Sequence, residues 1–319
     1  MAETIKLDVK DKKLLYELDI NSRKSNSEIG KKIRLNKNTV SYKIKRLENE
    51  KVILSYYTVI DNARLGYYSF RCYAKFFNTN KEQEQRLLDW LIKNPRVGVV
   101  SRIETIYDFG FMIWVKDSYE FEKFWYELKS NFREFFWNER VDVFTSAYNF
   151  RRKYLISTNE KSEYDFIGTN KPVKHDSLDL EILKILSKNA RIPLIEIAER
   201  LKTPERTIAF RIKQLEKNKI IQSYRVNLNY EKLGIEYFKV NIHLNKVPER
   251  KLLLEFAASN PNIIYYDITN NDYDYELDIE IQDRKELIKL LEELKTKFQV
   301  RDLEILSFKE YYKLELIPS

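Results

Sequence analysis

The chain repeats itself. Residues 8–70 superpose on residues 176–238 at a constant offset of 168, without a gap, and about 20 of the 63 pairs are identical. Average residue usage gives roughly 4 by chance. Matched pairs include Asp8/Asp176, Asp11/Asp179, Leu15/Leu183, Leu18/Leu186, Asn21/Asn189, Arg23/Arg191, Thr39/Thr207, Ile44/Ile212, Ser55/Ser223 and Gly66/Gly234. Further on the offset is 166, so that Asn94-Pro95 meets Asn260-Pro261 and Tyr107-Asp108 meets Tyr273-Asp274. The chain must therefore build one unit of about 150 residues twice.

Each unit opens with helix signals. Asp8 with Asp11 forms an N-cap pattern before Leu14, Leu15 and Leu18, and Ser25 with Glu28 is a capping box before Ile29 and Ile33. Asn36 caps a third helix whose apolar stripe is Val40, Ile44 and Leu47. The second copy repeats the plan, with Thr203 expected as the third cap and Pro204 as the first helical residue. Two helices joined by a short turn, the second one basic, make a helix-turn-helix.

The rest of each unit reads strand, helix, strand, strand, helix, strand. Phe70, Cys72, Ala74 and Phe76 alternate, as do Phe238, Val240, Ile242 and Leu244, and period 2 marks a strand with one buried face. The order is that of a ferredoxin-like βαββαβ sheet. The fold class is α+β, with two winged helix-turn-helix domains and two ferredoxin-like domains in tandem. Residues 1–62 and 176–230 are expected to be the helix-turn-helix heads, 63–152 and 231–319 the ferredoxin-like domains, and the polar stretch 153–175 a linker.

Composition removes most enzyme signatures. Six glycines, the closest two twelve residues apart, cannot build a glycine-rich phosphate cradle, and one cysteine with two histidines leaves little for a zinc site or a histidine relay. No catalytic residue, cofactor or metal is expected. The N-terminal residues lack the apolar core of a signal peptide, and no apolar run reaches the ~18 residues of a membrane span. A cytoplasmic location with no membrane contact is expected.

The net charge of +8 is concentrated locally: residues 23–51 carry +7 and residues 191–219 carry +4, leaving −3 for the remainder. A positive footprint on a helix-turn-helix points to double-stranded DNA. A solvated basic face in a protein-contact module is the alternative. Rotation of about 100° per residue turns Asn38, Ser41 and Tyr42, and in copy two Arg206, Ala209 and Phe210, towards base edges. Lys37, Lys45, Arg46, Lys213, Arg23 and Arg191 are expected on phosphates. The outward residues of the two copies differ, so the chain is expected to prefer an asymmetric operator, or to draw specificity from one copy and affinity from the other.

An acidic stripe stands on one strand face in copy two: Asp272, Asp274, Glu276, Asp278 and Glu280. It could hold a divalent cation, face solvent, or meet a positive sheet face of copy one such as Arg71 and Lys75. His243 is expected at that interface and Cys72 in the core.

These residues resemble the Lrp/AsnC feast/famine regulators. The likeness covers both copies, carried by Leu7-Asp8, Asp11, Leu14-Leu15, Asn21, Arg23, Asn38-Thr39-Val40, Lys43 to Glu48 and Leu65-Gly66, and by Asp176, Asp179, Ile182-Leu183, Asn189, Arg191, Arg206-Thr207-Ile208 and Arg211 to Glu216. The resemblance implies a DNA-binding regulator with a ligand-responsive ferredoxin-like domain, answering to an amino acid or related metabolite near a Gly-x-Tyr-Asp hairpin. Here the hairpins read Thr105-Ile106-Tyr107-Asp108 and Asn271-Asp272-Tyr273-Asp274, without the glycine. Tyr107, Asp108, Tyr273 and Asp274 are the effector-site candidates it implies. It also implies that one chain forms an intramolecular pseudo-dimer, with further homo-oligomers left open. Two rivals remain: sirohaem decarboxylases look like paired units of this build, expected to show histidine or clustered Arg and Tyr around a porphyrin pocket, and a metabolite-sensing interaction protein would keep relic helix-turn-helix domains.

Overall fold

A computed structural model describes residues 4–156, 162–168 and 171–318. In copy one, helices α1 (Val9–Ile20), α2 (Asn26–Ile33) and α3 (Lys37–Asn49) lead into β1 (Ile53–Ile60). The sheet part follows as β2 (Tyr68–Phe76), α4 (Lys81–Lys93), β3 (Val97–Ile103), β4 (Phe109–Val115), α5 (Ser118–Phe132) and β5 (Phe136–Phe150). Strand β6 (Tyr164–Ile167) lies between the copies. Copy two runs α6 (Ser177–Lys188), α7 (Leu194–Arg200), α8 (Glu205–Lys217), β7 (Ile221–Leu228), the single turn α9 (Tyr230–Leu233), β8 (Glu236–Leu244), α10 (Arg250–Ser259), β9 (Ile263–Asn270), β10 (Tyr275–Ile281), α11 (Arg284–Lys297) and β11 (Val300–Leu314).

The caps act as the sequence indicates. Asp11 N donates to Asp8 Oδ1 at 2.6 Å and Asp8 N to Asp11 Oδ2 at 3.1 Å, and Asp176 and Asp179 repeat the exchange. Thr39 N donates to Asn36 Oδ1 at 2.8 Å. The counterpart in copy two departs from expectation. Pro204 has extended backbone, α8 starts at Glu205, and no side chain caps it; the Thr203 hydroxyl is bonded to the Leu201 carbonyl instead.

The two heads form one layer. β1 and β7 pair antiparallel from Ile53↔Leu228 to Ile60↔Ile221, so the wing strand of each head is completed by the other. A single apolar core holds Leu14, Leu18 and Val40 together with Ile182, Leu186 and Ile208.

Below this layer the two ferredoxin-like sheets join into one closed barrel. Their orders are β5-β2-β4-β3 and β11-β8-β10-β9, and the pairings β3–β11 and β9–β5 join them at both ends. The long strands β5 and β11 make this possible, each serving its own sheet with one half and the other copy with the other half. Closure leaves no free edge among these eight strands. The apolar outer faces pack under α4 and α5 in copy one and α10 and α11 in copy two. The inner face is charged and aromatic.

The segment between the copies is more than the expected polar linker. β6 pairs with the end of β5, and Arg151, Arg152 and Lys153 are buried. Arg151 forks onto Asp165 at 2.7 and 2.9 Å. Arg152 donates to Asp19 Oδ1 of α1 at 2.6 Å and to Glu280 Oε2 of β10 at 2.8 Å. Arg225 of β7 completes the group, with Nη2 at 2.6 Å from Asp19 Oδ2. These charges could leave water because each carboxylate meets a planar guanidinium fork. The tie spans both heads, the linker and the barrel.

Burial alone would raise the Asp19 pKa, but the Arg225 and Arg152 guanidinia outweigh it and hold it at about 2. The folded state therefore prefers the ionised carboxylate. The resulting stability, about 2 kcal/mol, is whole above the unfolded pKa and is lost as pH falls from about 4 towards 2. Denaturant melts at pH 7, 4 and 2.5 check this. Asp19→Asn should cost about 3–5 kcal/mol at pH 7 by leaving Arg225 without its carboxylate and Arg152 with Glu280 alone, and the gap to wild type should narrow at pH 2.5. A pH-independent gap would contradict this account.

Candidate nucleic-acid interface

Helices α3 and α8 each bury one stripe and leave the other face in solvent. Val40, Ile44 and Leu47 are buried in α3, and Ile208, Ile212 and Leu215 in α8. Each helix is clamped from behind: Lys43 Nζ lies 2.8 Å from Asp8 and 2.9 Å from Asp11, and Arg211 Nη1 lies 2.8 Å from Asp176 and 3.3 Å from Asp179. The cap carboxylates of the first helix thus fix the roll of the third.

The roll decides which residues face outward. Lys37, Asn38, Lys45, Arg206 and Lys213 are exposed, and Ser41 and Ala209 are half-buried beside them. Tyr42 is 68% exposed and Phe210 58%. Two bulky rings left in water at equivalent positions are unexplained by packing and fit a face made to meet a partner.

Three of the expected phosphate contacts have other partners. Arg23 Nη1 donates to the Ala190 carbonyl at 2.6 Å and the Ile192 carbonyl at 3.2 Å, with its guanidinium over the Tyr224 ring. Arg191 answers from the other head, donating to the Ser22 and Lys24 carbonyls and lying over Tyr56. These arginines tie head to head. Arg46 is drawn back to Asp11 at 2.6 Å. Their matched spacing in the repeat reflects a reciprocal interface, which sequence alone could not separate from a DNA contact.

The hairpin candidates converge inside the barrel. Tyr107 and Tyr273 lie on the same Arg140 guanidinium, at 5.3 and 5.1 Å, with Tyr73 at 4.7 Å. Tyr273 also donates to Glu304 at 2.6 Å. Asp108 and Asp274 hold backbone: each accepts from the amide of a first-strand residue, Phe76 N and Leu244 N, at 2.7 Å.

The acidic stripe meets cations. Arg71 Nη1 lies 2.7 Å from Asp267 and 2.9 Å from Glu276, crossing between the copies, and Lys239 of the same copy contacts Asp267, Glu276 and Asp278. Burial opposes ionisation of Asp267 and Glu276, but the two cations outweigh it and lower both pKa values. Asp278 goes the other way, raised by burial against Lys239. Glu280 takes Arg152, whereas Asp272 and Asp274 stay exposed. Lys75 joins no ion pair among the described residues, and none of them form a metal-ligating group of three or more His, Cys, Asp or Glu. His243 packs against Tyr273 at 4.4 Å, and Cys72 is buried in the core.

Between the head layer and the barrel lies a cavity of about 1520 Å³. Eight tyrosines line it, from Tyr57 of β1 and Tyr67 of the following turn to Tyr265 and Tyr311 of copy two, with Arg71, Arg152 and Lys239. Sequence reasoning missed it, because these tyrosines come from both copies and only barrel closure gathers them.

Residues 7–48 match the AsnC-type helix-turn-helix domain and residues 175–222 a winged helix-turn-helix DNA-binding domain. The transcriptional regulator LrpB of Bacillus subtilis is 30% identical over 119 residues, covering 37% of this chain and 80% of that one. An uncharacterized HTH-type transcriptional regulator of Pyrococcus furiosus is 34% identical over 113 residues, covering 35% and 76%. Among solved structures the siroheme decarboxylase NirDL aligns over 97% of this chain and 94% of its own, with a TM-score of 0.61 and 13% identity. That likeness is one of fold.

The head-to-head arginines give a separable expectation. Arg23→Ala with Arg191→Ala should lower stability by about 1.5–3 kcal/mol per arginine, yet leave the slope of log K against log salt for duplex DNA unchanged. A slope reduced by about one phosphate per arginine would return them to the interface with DNA.

Proposed function

The chain belongs to the Lrp/AsnC family of helix-turn-helix transcriptional regulators, and we propose from this premise that one polypeptide sets both heads of a pseudo-dimer on a single operator with unlike half-sites. The observation that carries this is the pair of exposed faces on α3 and α8, charged, unequal, and held in one layer by the β1–β7 pairing. Residues 1–62 and 176–230 act as the heads. Asn38 is suited to adenine and Arg206 to the O6 and N7 of guanine, while Tyr42, Ala209 and Phe210 offer apolar contact to thymine methyls, with Ser41 beside them. Lys37, Lys45 and Lys213 neutralise phosphates. The effector, an amino acid or related metabolite, belongs with Tyr107 and Tyr273 on Arg140. No helix among the described residues is long and apolar enough to cross a membrane, and the cytoplasm is the proposed location.

A second reading has an observation of its own. The cavity gathers the tyrosine and arginine cluster that an enzyme acting on tetrapyrrole carboxylates would use, on a fold shared over the whole chain with a siroheme decarboxylase. Against it, neither His175 nor His243 lines the cavity, and the exposed basic helices would have no task. Sirohaem incubated with the protein should lose no carboxyl groups if the regulator reading holds.

A salt titration on random duplex DNA is the direct test. Two engaged heads should give a steep fall of log K with log salt, and Lys45→Glu/Lys213→Glu should flatten it by about 0.9 per phosphate contact removed. Site selection should then return two different half-sites. Arg206→Ala should relax one of them alone, at a cost of about 1–3 kcal/mol. A clean palindrome, or binding insensitive to the lysine reversals, would overturn the proposal.

A further inference from the structure

The tie of Asp19, Arg152, Arg225 and Glu280 has a pseudo-symmetric counterpart that is empty of charge. By the repeat offsets, Asp19 corresponds to Ser187, Arg225 to Tyr57 and Glu280 to Trp114. Two residues beyond the last strand of each copy stand Arg152 and Leu316. Where one side of the molecule is closed by interlocked ions, the other therefore presents Tyr57, Trp114 and Leu316, and all three line the cavity. The cavity runs between the two equivalent places, with Arg152 of the ion tie on one side and Tyr57, Trp114 and Leu316 on the other.

We propose that this cavity is a binding site for a planar, polycyclic aromatic acid, entered past Tyr57, Tyr67 and Trp114, and that its occupant acts on the geometry of the two heads. Its volume, about 1520 Å³, exceeds the ~300–1,000 Å³ of ordinary small-molecule sites, so a single small ring would leave it largely unfilled. The walls supply ring faces, and Lys116 sits 3.4 Å over the Tyr67 ring at the same end. The acid is asked for by the floor. Both carboxylates on Arg71 take its Nη1, so Nε and Nη2 hold no partner among the described residues, and the side chain lines the cavity. Burial raises the pKa of the Tyr73 and Tyr265 phenols there, which keeps them protonated and able to donate. Of the cavity-lining carboxylates the buried ones are already matched, Asp267 and Asp278 by Lys239, Asp278 also by Tyr237, and Asp61 by Arg64, while Glu231 and Glu310 stand in solvent at its margin.

The link to the heads is the roof. Tyr57, Val59 and Ile60 of β1 and Leu228 of β7 line the cavity from above, and these strands are the pairing that joins head to head. An occupant touching them in one head arrangement and not another shifts the balance by its differential affinity. This site adjoins the Arg140 hairpin cluster, with which it shares Tyr73, and its regulatory half rests on the DNA reading above.

The probe is 1-pyrenecarboxylate, with the neutral 1-pyrenemethanol beside it, added to the full chain. The carboxylate should bind one to one, quench tryptophan emission, and bind at least tenfold tighter than the alcohol. Arg71→Gln should abolish that preference. Tyr57→Glu, at a half-buried roof position opposite Arg225, should weaken carboxylate binding at least tenfold with an unaltered circular dichroism spectrum. Saturating probe should change duplex affinity severalfold in wild type and not in Tyr57→Glu. Equal binding of both probes, or carboxylate binding untouched by either substitution, would refute the site. Binding with no effect on DNA affinity would refute its coupling to the heads. A chain that binds the probe as expected but binds no DNA in either state would instead overturn the regulator reading and the coupling with it, while supporting the pocket.

Discussion

A four-stranded sheet with helices on one face has two problems: a bare second face, and two edge strands with unpaired backbone groups. Each copy in this chain carries both problems, and each solves those of the other. The fifteen-residue strands β5 and β11 cross from one sheet to the other and close the barrel. The bare faces then turn inward, where their charges can meet only each other and the cavity. Everything else follows from that closure, including the crossing pair of Arg71 with Asp267 and Glu276.

The head layer obeys the same logic. A lone helix-turn-helix with one short wing strand leaves that strand unpaired. Pairing β1 with β7 satisfies both, and Arg23 and Arg191 then cap the junction with reciprocal bonds to carbonyls. A rigid pair of unequal reading faces results without association of a second chain. The arginines sit beside the recognition helices and add to the positive footprint, yet their hydrogen bonds serve the protein.

Duplication also permits asymmetry that a dimer of identical chains cannot have. The linker exists once, so Arg152 exists once, and with it the ion group that joins Asp19 and Glu280. The corresponding place in copy one is aromatic and open. The two sides of one barrel thus differ in kind, one ionic and the other aromatic.

Much was legible in the sequence because it was local. Caps such as Asp8 with Asp11, the stripe Val40–Ile44–Leu47, the alternation through Phe70 to Phe76 and the outward set on α3 and α8 depend on neighbours within one or two turns or strands. Repetition doubled each signal, and α8 lost its side-chain cap where Pro204 interrupted the pattern. Family-level likeness followed from the same short spacings. What the sequence could not decide were contacts between distant segments. Arg23 reads as a basic residue beside a reading helix until Ala190 is seen next to it; Arg151 and Arg152 read as a polar run into the linker until Asp19, Asp165 and Glu280 surround them; eight scattered tyrosines become one wall only when the barrel shuts. Local chemistry fixes what a residue can do, while the tertiary structure decides which partner it meets, because that depends on pairings between strands more than a hundred residues apart.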